Sequence, residues 1–166
     1  MIIPMQNATE FWKILFVALL YCTNGHKQYR GEMKSKLIVC QGNNLPEIEN
    51  PSPEQIERAL DDLIPAKYHF VILVSEEPVQ NCAFVQTIMT QGNAPEIKYL
   101  FEIQFKYDDT RFKQYEYYTT NVNELKKMFR MFALGILPDI TGWKDITEEV
   151  LEEIAEQKKK ADEQSA

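Results

Sequence analysis

The stretch that decides the fold is Ile97–Tyr107 (IKYLFEIQFKY), followed by Asp108, Asp109 and Thr110 and then by Phe112–Thr119 (FKQYEYYT). Apolar and polar side chains nearly alternate through the first segment, which is the period of a strand that buries one face. The short polar connection predicts a turn, because Asp is a common turn residue. The two segments are therefore expected to pair as an antiparallel hairpin.

Other apolar segments extend this hairpin into a sheet. Tyr68–Val74 (YHFVILV) is a continuous apolar run, which predicts a central strand covered on both faces, and residues 76–78 (EEP) are expected to break it. Lys36–Cys40 and Cys82–Thr90 are the remaining predicted strands. Strands that follow one another through short turns imply an antiparallel meander, here of four to six strands.

Three helices accompany the predicted sheet. The first begins in Asn50–Gln55 (NPSPEQ), where Ser52 can cap the helix and Pro53 suits its first position. The second begins after Asn121, and the third is Glu148–Lys160, with acids in its first turn and lysines in its last. The element order predicts an α+β domain with the helices packed on one face of the sheet.

Residues 1–32 hold the most apolar run of the chain, Ile14–Cys22 (ILFVALLYC). Its nine residues are too few to cross a membrane, which takes about 20, so no stable membrane insertion is expected. Three interpretations stay open: an added helix from about Thr9 to Tyr21, a true start at Met33, or an export signal within residues 1–25. The expected location is cytoplasmic unless that signal is real.

The charge of the chain is acidic, with 25 Asp and Glu against 18 Lys and Arg. Residues 33–147 and residues 148–166 each carry −4, and residues 1–32 carry +1. Contacts to phosphates need clustered Lys and Arg, so direct binding of nucleic acid or of an anionic membrane is not expected. A basic protein partner remains compatible with this balance.

Few residues in the sequence suggest catalysis, metal binding or cofactor binding. The three cysteines (Cys22, Cys40 and Cys82) and two histidines (His26 and His69) are far apart and lack the spacing of zinc ligands. A Cys82–His69 pair could in principle supply a nucleophile and its base, but packed side chains are the commoner reason for such residues in apolar strands. With no phosphate-binding loop either, the sequence predicts no enzyme, no metal and no cofactor.

The predicted hairpin is rich in aromatic side chains. Packing in the core explains most of them, and a protein-binding face can use the remaining tyrosines. An aromatic-lined pocket for a small ligand or substrate is the alternative. The eight rings are Tyr99, Phe101, Phe105, Tyr107, Phe112, Tyr115, Tyr117 and Tyr118.

A pattern toward the C-terminal end carries a family resemblance. A helix with two phenylalanines is followed by a glycine, a proline and a tryptophan eight residues beyond the glycine. With the preceding helix start and run of strands, this resembles the immunity proteins of bacterial polymorphic toxin systems, over about residues 37–147. The residues that carry the resemblance are structural in kind: Ser52, Pro53, Phe129, Phe132, Gly135, Pro138 and Trp143.

The resemblance implies a small α+β domain, residues 33–147, that binds and neutralises a cognate toxin, often a nucleic-acid-targeting one, in competition between bacteria. The N-terminal extension (1–32) and the acidic C-terminal helix and tail (148–166) lie outside it. A domain that covers a basic active site needs an acidic face and aromatic anchors. The candidate contacts are Glu47, Glu49, Glu76, Glu77, Asp108, Asp109, Tyr117 and Tyr118.

Two other functions stay open beside this one. The first is a small ligand-binding or enzyme domain that uses the aromatic face of the sheet. The second is an assembly adaptor that uses the acidic C-terminal helix.

Overall fold

A computed structural model describes residues 34–41, 44–65, 69–91, 97–108 and 111–165 of the chain. The expectations for the N-terminal extension (1–32) and for Asp109 fall outside these residues. None of the described helices combines the length and the apolar character that a membrane crossing requires.

In the described residues, seven strands form one antiparallel sheet of order β2-β1-β3-β4-β5-β6-β7. Strands β3 to β6 are neighbours in chain order, so the predicted meander is confirmed. The predicted count of four to six is too low because two edge strands of three and two residues are too short to show a period. The strands are β1 (Ser35–Gln41), β2 (Glu47–Glu49), β3 (His69–Val79), β4 (Cys82–Gln91), β5 (Ile97–Lys106), β6 (Phe112–Thr119) and β7 (Lys144–Asp145).

Strand β3 does not stop at residues 76–78, contrary to the expectation. It continues to Val79, and its register with β4 shifts between Val74 and Val79. Such a bulge tolerates Pro78, which has no N–H to give to the sheet. The turn to β4 then has positive φ at both Gln80 and Asn81, the backbone of a tight hairpin.

The helices begin where the sequence predicts them. They are α1 (Pro53–Asp61), α2 (Val122–Ala133) and α3 (Thr147–Ser165). The Ser52 hydroxyl accepts a 3.3 Å hydrogen bond from the Gln55 N–H, and the Gln55 side chain accepts one of 2.8 Å from the Ser52 N–H. The capping box is therefore confirmed. Gly135, just beyond α2, has the positive φ of 75° that glycine adopts at low cost.

Helices pack on both faces of the sheet, so the expectation of a single covered face is wrong. We call the face under α1 and α2 the first face and the opposite one the second face. Adjacent residues of β1, Leu37 and Ile38, are both fully buried but belong to different cores. Val150 of α3 packs in the second core. Strands that are apolar on both faces need cover on both faces, and α3 supplies part of it.

Candidate functional site

The aromatic rings of the first face pack against one another. Phe101 of β5 meets Phe129 of α2 edge-on with ring centres 5.6 Å apart, and it meets Trp143 edge-on at 5.5 Å. Trp143 also stacks on Tyr117 of β6 at 5.1 Å. The segment between α2 and β7 thus folds back over the core, and the rings are engaged in core contacts.

Tyr117 packs within this aromatic group and is not a fully exposed ring on the surface. It is half-buried, and its hydroxyl donates a 3.1 Å hydrogen bond to Glu124 Oε1 at the start of α2. That hydrogen bond, together with burial, raises the pKa of the Tyr117 phenol. The Thr119 hydroxyl donates to the other Glu124 oxygen at 2.6 Å. Glu124 therefore ties the end of β6 to α2.

Acidic candidates from separate segments meet at one end of the sheet, which we call the acidic end: Glu49, Glu76, Glu77 and Asp108. Antiparallel pairing puts the end of β2, the end of β3 and the β5–β6 turn on the same side. At a spacing of about 4.8 Å per strand, β3 and β5 lie roughly 10 Å apart with β4 between them. Glu76 and Glu77 are exposed there.

Bases offset part of this charge. Lys36 Nζ lies 2.9 Å from Glu47 and 3.0 Å from Glu49, so one lysine serves both acids of β2. Arg111 Nε lies 2.5 Å from Asp108 across the β5–β6 turn. Exposed ion pairs of this kind add little stability, but they do lower the local negative field.

Tyr118 does not lie with these acids. It is half exposed, on the second face near the opposite end of β6, six residues from Phe112. At a rise of about 3.3 Å per residue, this is roughly 20 Å from the β5–β6 turn. Four of the predicted contacts therefore lie at the acidic end, and Tyr118 lies apart from them near the far end of β6.

A group of polar side chains is buried on the second face. We call it the buried polar cluster: Gln86, Glu102, Gln104 and Gln114, each at most 1 % exposed. Gln86 Nε2 donates to one oxygen of Glu102 at 2.6 Å, and Gln114 Nε2 donates to the other at 3.1 Å. Gln104 Nε2 donates to Gln114 Oε1 at 3.0 Å. Three neighbouring strands are thereby joined through one carboxyl group.

The carboxyl group of Glu102 is electrostatically unusual. Burial raises its pKa to about 7, well above the ordinary 4.5, and the hydrogen bonds from Gln86 and Gln114 oppose that rise. The negative charges of Glu116 and Glu153 raise the pKa further. A carboxyl group shifted to this range is a feature of functional sites, and it also occurs in structural networks.

The alternating pattern of β5 assigns Glu102 only to the polar face of the strand, like its neighbours Gln104 and Lys106. A signal was available, because Gln86 and Glu116 lie directly across from Glu102 in the sheet, as does Gln114 from Gln104. Polar side chains in register on three strands suggest a shared environment. Only the packing of α3 shows that this environment is buried.

The Cys82–His69 pair that was considered as a nucleophile and its base does not form in the fold. His69 starts β3 and Cys82 starts β4, at opposite ends of the paired strands, so they do not meet. The Cys82 thiol is buried and donates to the Phe84 carbonyl oxygen at 3.2 Å. Across the described ranges, His, Cys, Asp and Glu form no group of three or more that could hold a metal ion.

Comparison of the chain with protein-family models, with curated proteins and with solved structures gives no match. The likeness to immunity proteins thus stays a prediction from residue pattern.

Proposed function

We propose that this chain is a non-enzymatic immunity protein, which binds and neutralises a cognate toxin domain by covering a basic cleft with its acidic end. The observation that carries the proposal is the meeting of acids from three separate segments at one end of the sheet. Glu49 is the last residue of the edge strand β2 and lies opposite Lys36, Glu76 and Glu77 lie in the bulged end of β3, and Asp108 lies in the β5–β6 turn.

The acidic end is held in place before any partner arrives. The Glu76 N–H donates to the Lys34 carbonyl oxygen at 3.0 Å, which fixes the bulged part of β3 against the start of β1. The Asp108 side chain accepts a 2.8 Å bond from the Arg111 N–H, which fixes the hairpin turn. A face that is ordered in advance loses less conformational entropy on binding.

The strongest contribution to binding is expected from Glu76 and Glu77. Both are exposed, and they are adjacent on the same bulged strand, so their two charges act together. Complementary charge chiefly accelerates association and adds less to the final affinity. Binding should therefore be fast and sensitive to salt.

The test uses the full chain and a candidate toxin, sought among the products of neighbouring genes by whether the chain protects cells from it. Reversal of both acids, Glu76→Lys with Glu77→Lys, should slow association by about tenfold at low salt, flatten the dependence on ionic strength and abolish protection of cells. The matched control is Glu152→Lys with Glu156→Lys, the same charge change at exposed positions of α3. If the control loses protection and the first variant keeps it, the binding face lies on α3, as an adaptor would require.

The alternative of a ligand-binding or enzyme domain with an aromatic-lined pocket has weaker support. Phe101, Trp143 and Tyr117 contact one another and the helices above the first face, so these rings fill the space that such a pocket would need.

A further inference from the structure

The buried polar cluster lies beneath the start of α3. The first residue of this helix, Thr147, is 4 % exposed, and its hydroxyl accepts a 3.1 Å hydrogen bond from the backbone N–H of Gln114. One turn later, Val150 is buried in the second core. Glu153, in the next turn, is close enough to act electrostatically on Glu102. The first two turns of α3 thus help to keep water from a carboxyl group.

Ionised Glu102 would be poorly compensated in this position. It receives two amide hydrogen bonds, and within the described part of the chain no lysine or arginine forms an ion pair with it. A buried carboxylate without a cation is strongly disfavoured relative to the neutral acid.

The charged and titratable groups that face Glu102 do not compensate a negative charge on its carboxyl group. Glu116 on β6 and Glu153 on α3 are negative, and the Tyr118 phenol on β6 is neutral at ordinary pH. Lys144 on β7 pairs with Glu116 at 3.3 Å and with Glu149 of α3 at 3.2 Å. On its own strand, Lys98 and Lys106 are each four residues away, roughly 13 Å along the sheet.

Neutral Glu102, by contrast, has an acceptor within reach. Gln86 Oε1 is buried and has no hydrogen-bond partner among the described residues, and it lies at the other end of the amide whose Nε2 already contacts Glu102. If this amide turns over, its oxygen faces Glu102 and accepts the O–H of the protonated acid. The Gln86 amide can therefore donate a hydrogen bond to ionised Glu102 or accept one from neutral Glu102.

We propose that Glu102 is a proton-controlled latch for the first two turns of α3. With a proton on Glu102, these turns stay packed on the second face. When they lift and water reaches the carboxyl group, Glu102 releases its proton to solvent, so rising pH favours the lifted state. The latch does not depend on toxin binding, and its test uses the chain alone.

The test measures hydrogen–deuterium exchange of residues 147–156 from pH 6 to pH 8, corrected for the intrinsic pH dependence of exchange. In the wild type, protection should fall about tenfold over this range, as expected for a group whose pKa drops from about 7 to 4.5 on opening. In Glu102→Gln, the protection of residues 147–156 should no longer fall with rising pH. In Glu152→Gln, which neutralises an exposed acid of α3, protection should fall as in the wild type.

A second measurement is the carbon-13 NMR titration of the side-chain carboxyl groups. The Glu102 carboxyl should titrate far above 4.5, and Glu153→Gln should lower its midpoint by removing a facing negative charge. An ordinary midpoint in the wild type would overturn the latch, and so would an equal loss of protection in Glu102→Gln. If Glu102→Gln does not fold, the titrations of the wild type and Glu153→Gln decide the question.

Discussion

Glu102 on β5 and Gln86 on β4 face each other in the sheet, and the Gln86 amide donates a 2.6 Å hydrogen bond to the Glu102 carboxyl group. Both side chains are 1 % exposed. The pair combines a group that strongly prefers to be neutral with an amide that can donate or accept.

The first prediction concerns stability against pH. The pKa of Glu102 is raised in the folded state to about 7, so the folded protein binds a proton more tightly than the unfolded one. The stability it provides is complete below pH 4.5 and is lost as pH rises to about 7, by at most about 3 kcal/mol. Urea unfolding from pH 5 to 8 should show this decline in the wild type and not in Glu102→Gln. An equal decline in both proteins would assign it to other groups.

The second prediction concerns Trp143. Its ring contacts Phe101 and Tyr117 but is only half-buried, so Trp143→Ala should cost about 3 kcal/mol, the lower end for truncating a large aromatic. The measurement is the urea midpoint by circular dichroism. Leu134→Ala is the control, because Leu134 is 75 % exposed and should change the midpoint little. An unchanged midpoint for Trp143→Ala would show that the ring is not part of the core.

The third prediction concerns Glu124, which accepts hydrogen bonds from Tyr117 and Thr119. Glu124→Ala leaves two hydroxyl groups without that acceptor and should lower stability by about 1–2 kcal/mol. Lys127→Ala, an exposed change on the same helix, should have an effect within about 0.5 kcal/mol. Similar midpoints for the two variants would contradict a structural role for the carboxylate.

The fourth prediction separates the two halves of α3. Deletion of residues 148–166 removes Val150, which is 3 % exposed, and uncovers the buried polar cluster, so stability should fall by about 2 kcal/mol or more. Deletion of residues 158–166 removes Lys158, Lys159 and Lys160, which are exposed, and should change stability little. Thermal unfolding of both truncations makes the comparison. Equal losses would mean that the second half of the helix also packs.

Local patterns predicted much of the fold. The capping box at Ser52 and Gln55 lies within four consecutive residues, so its hydrogen bonds depend on little beyond that turn. The alternation of β5 likewise names the residues that face α1 and α2, among them Phe101 and Ile103. The bulge before Val79 was not predicted, because it depends on pairing with β1 and β4 rather than on residues 76–78 alone.

The candidate site was only partly predictable. The turn acids were visible in the sequence, but their meeting at the acidic end depends on strand order. The ion pair of Glu49 with Lys36 also depends on strand pairing, whereas that of Asp108 with Arg111 is local to the turn. The burial of Glu102 was not visible, because alternation assigns a polar residue to the face away from the first core without saying whether another element covers it.

The sequence by itself determined the strands from β3 to β6, the starts of the helices, the acidic balance and the apolar character of both faces of β3. The acidic balance is a matter of composition, and the others are short-range properties carried by residues a few positions apart. Only the tertiary structure decided that α3 crosses to the second face, where Thr147 bonds to the backbone of Gln114, 33 positions earlier. That contact helps to close the second face over Glu102, and burial there, rather than residue type, raises the pKa of its carboxyl group.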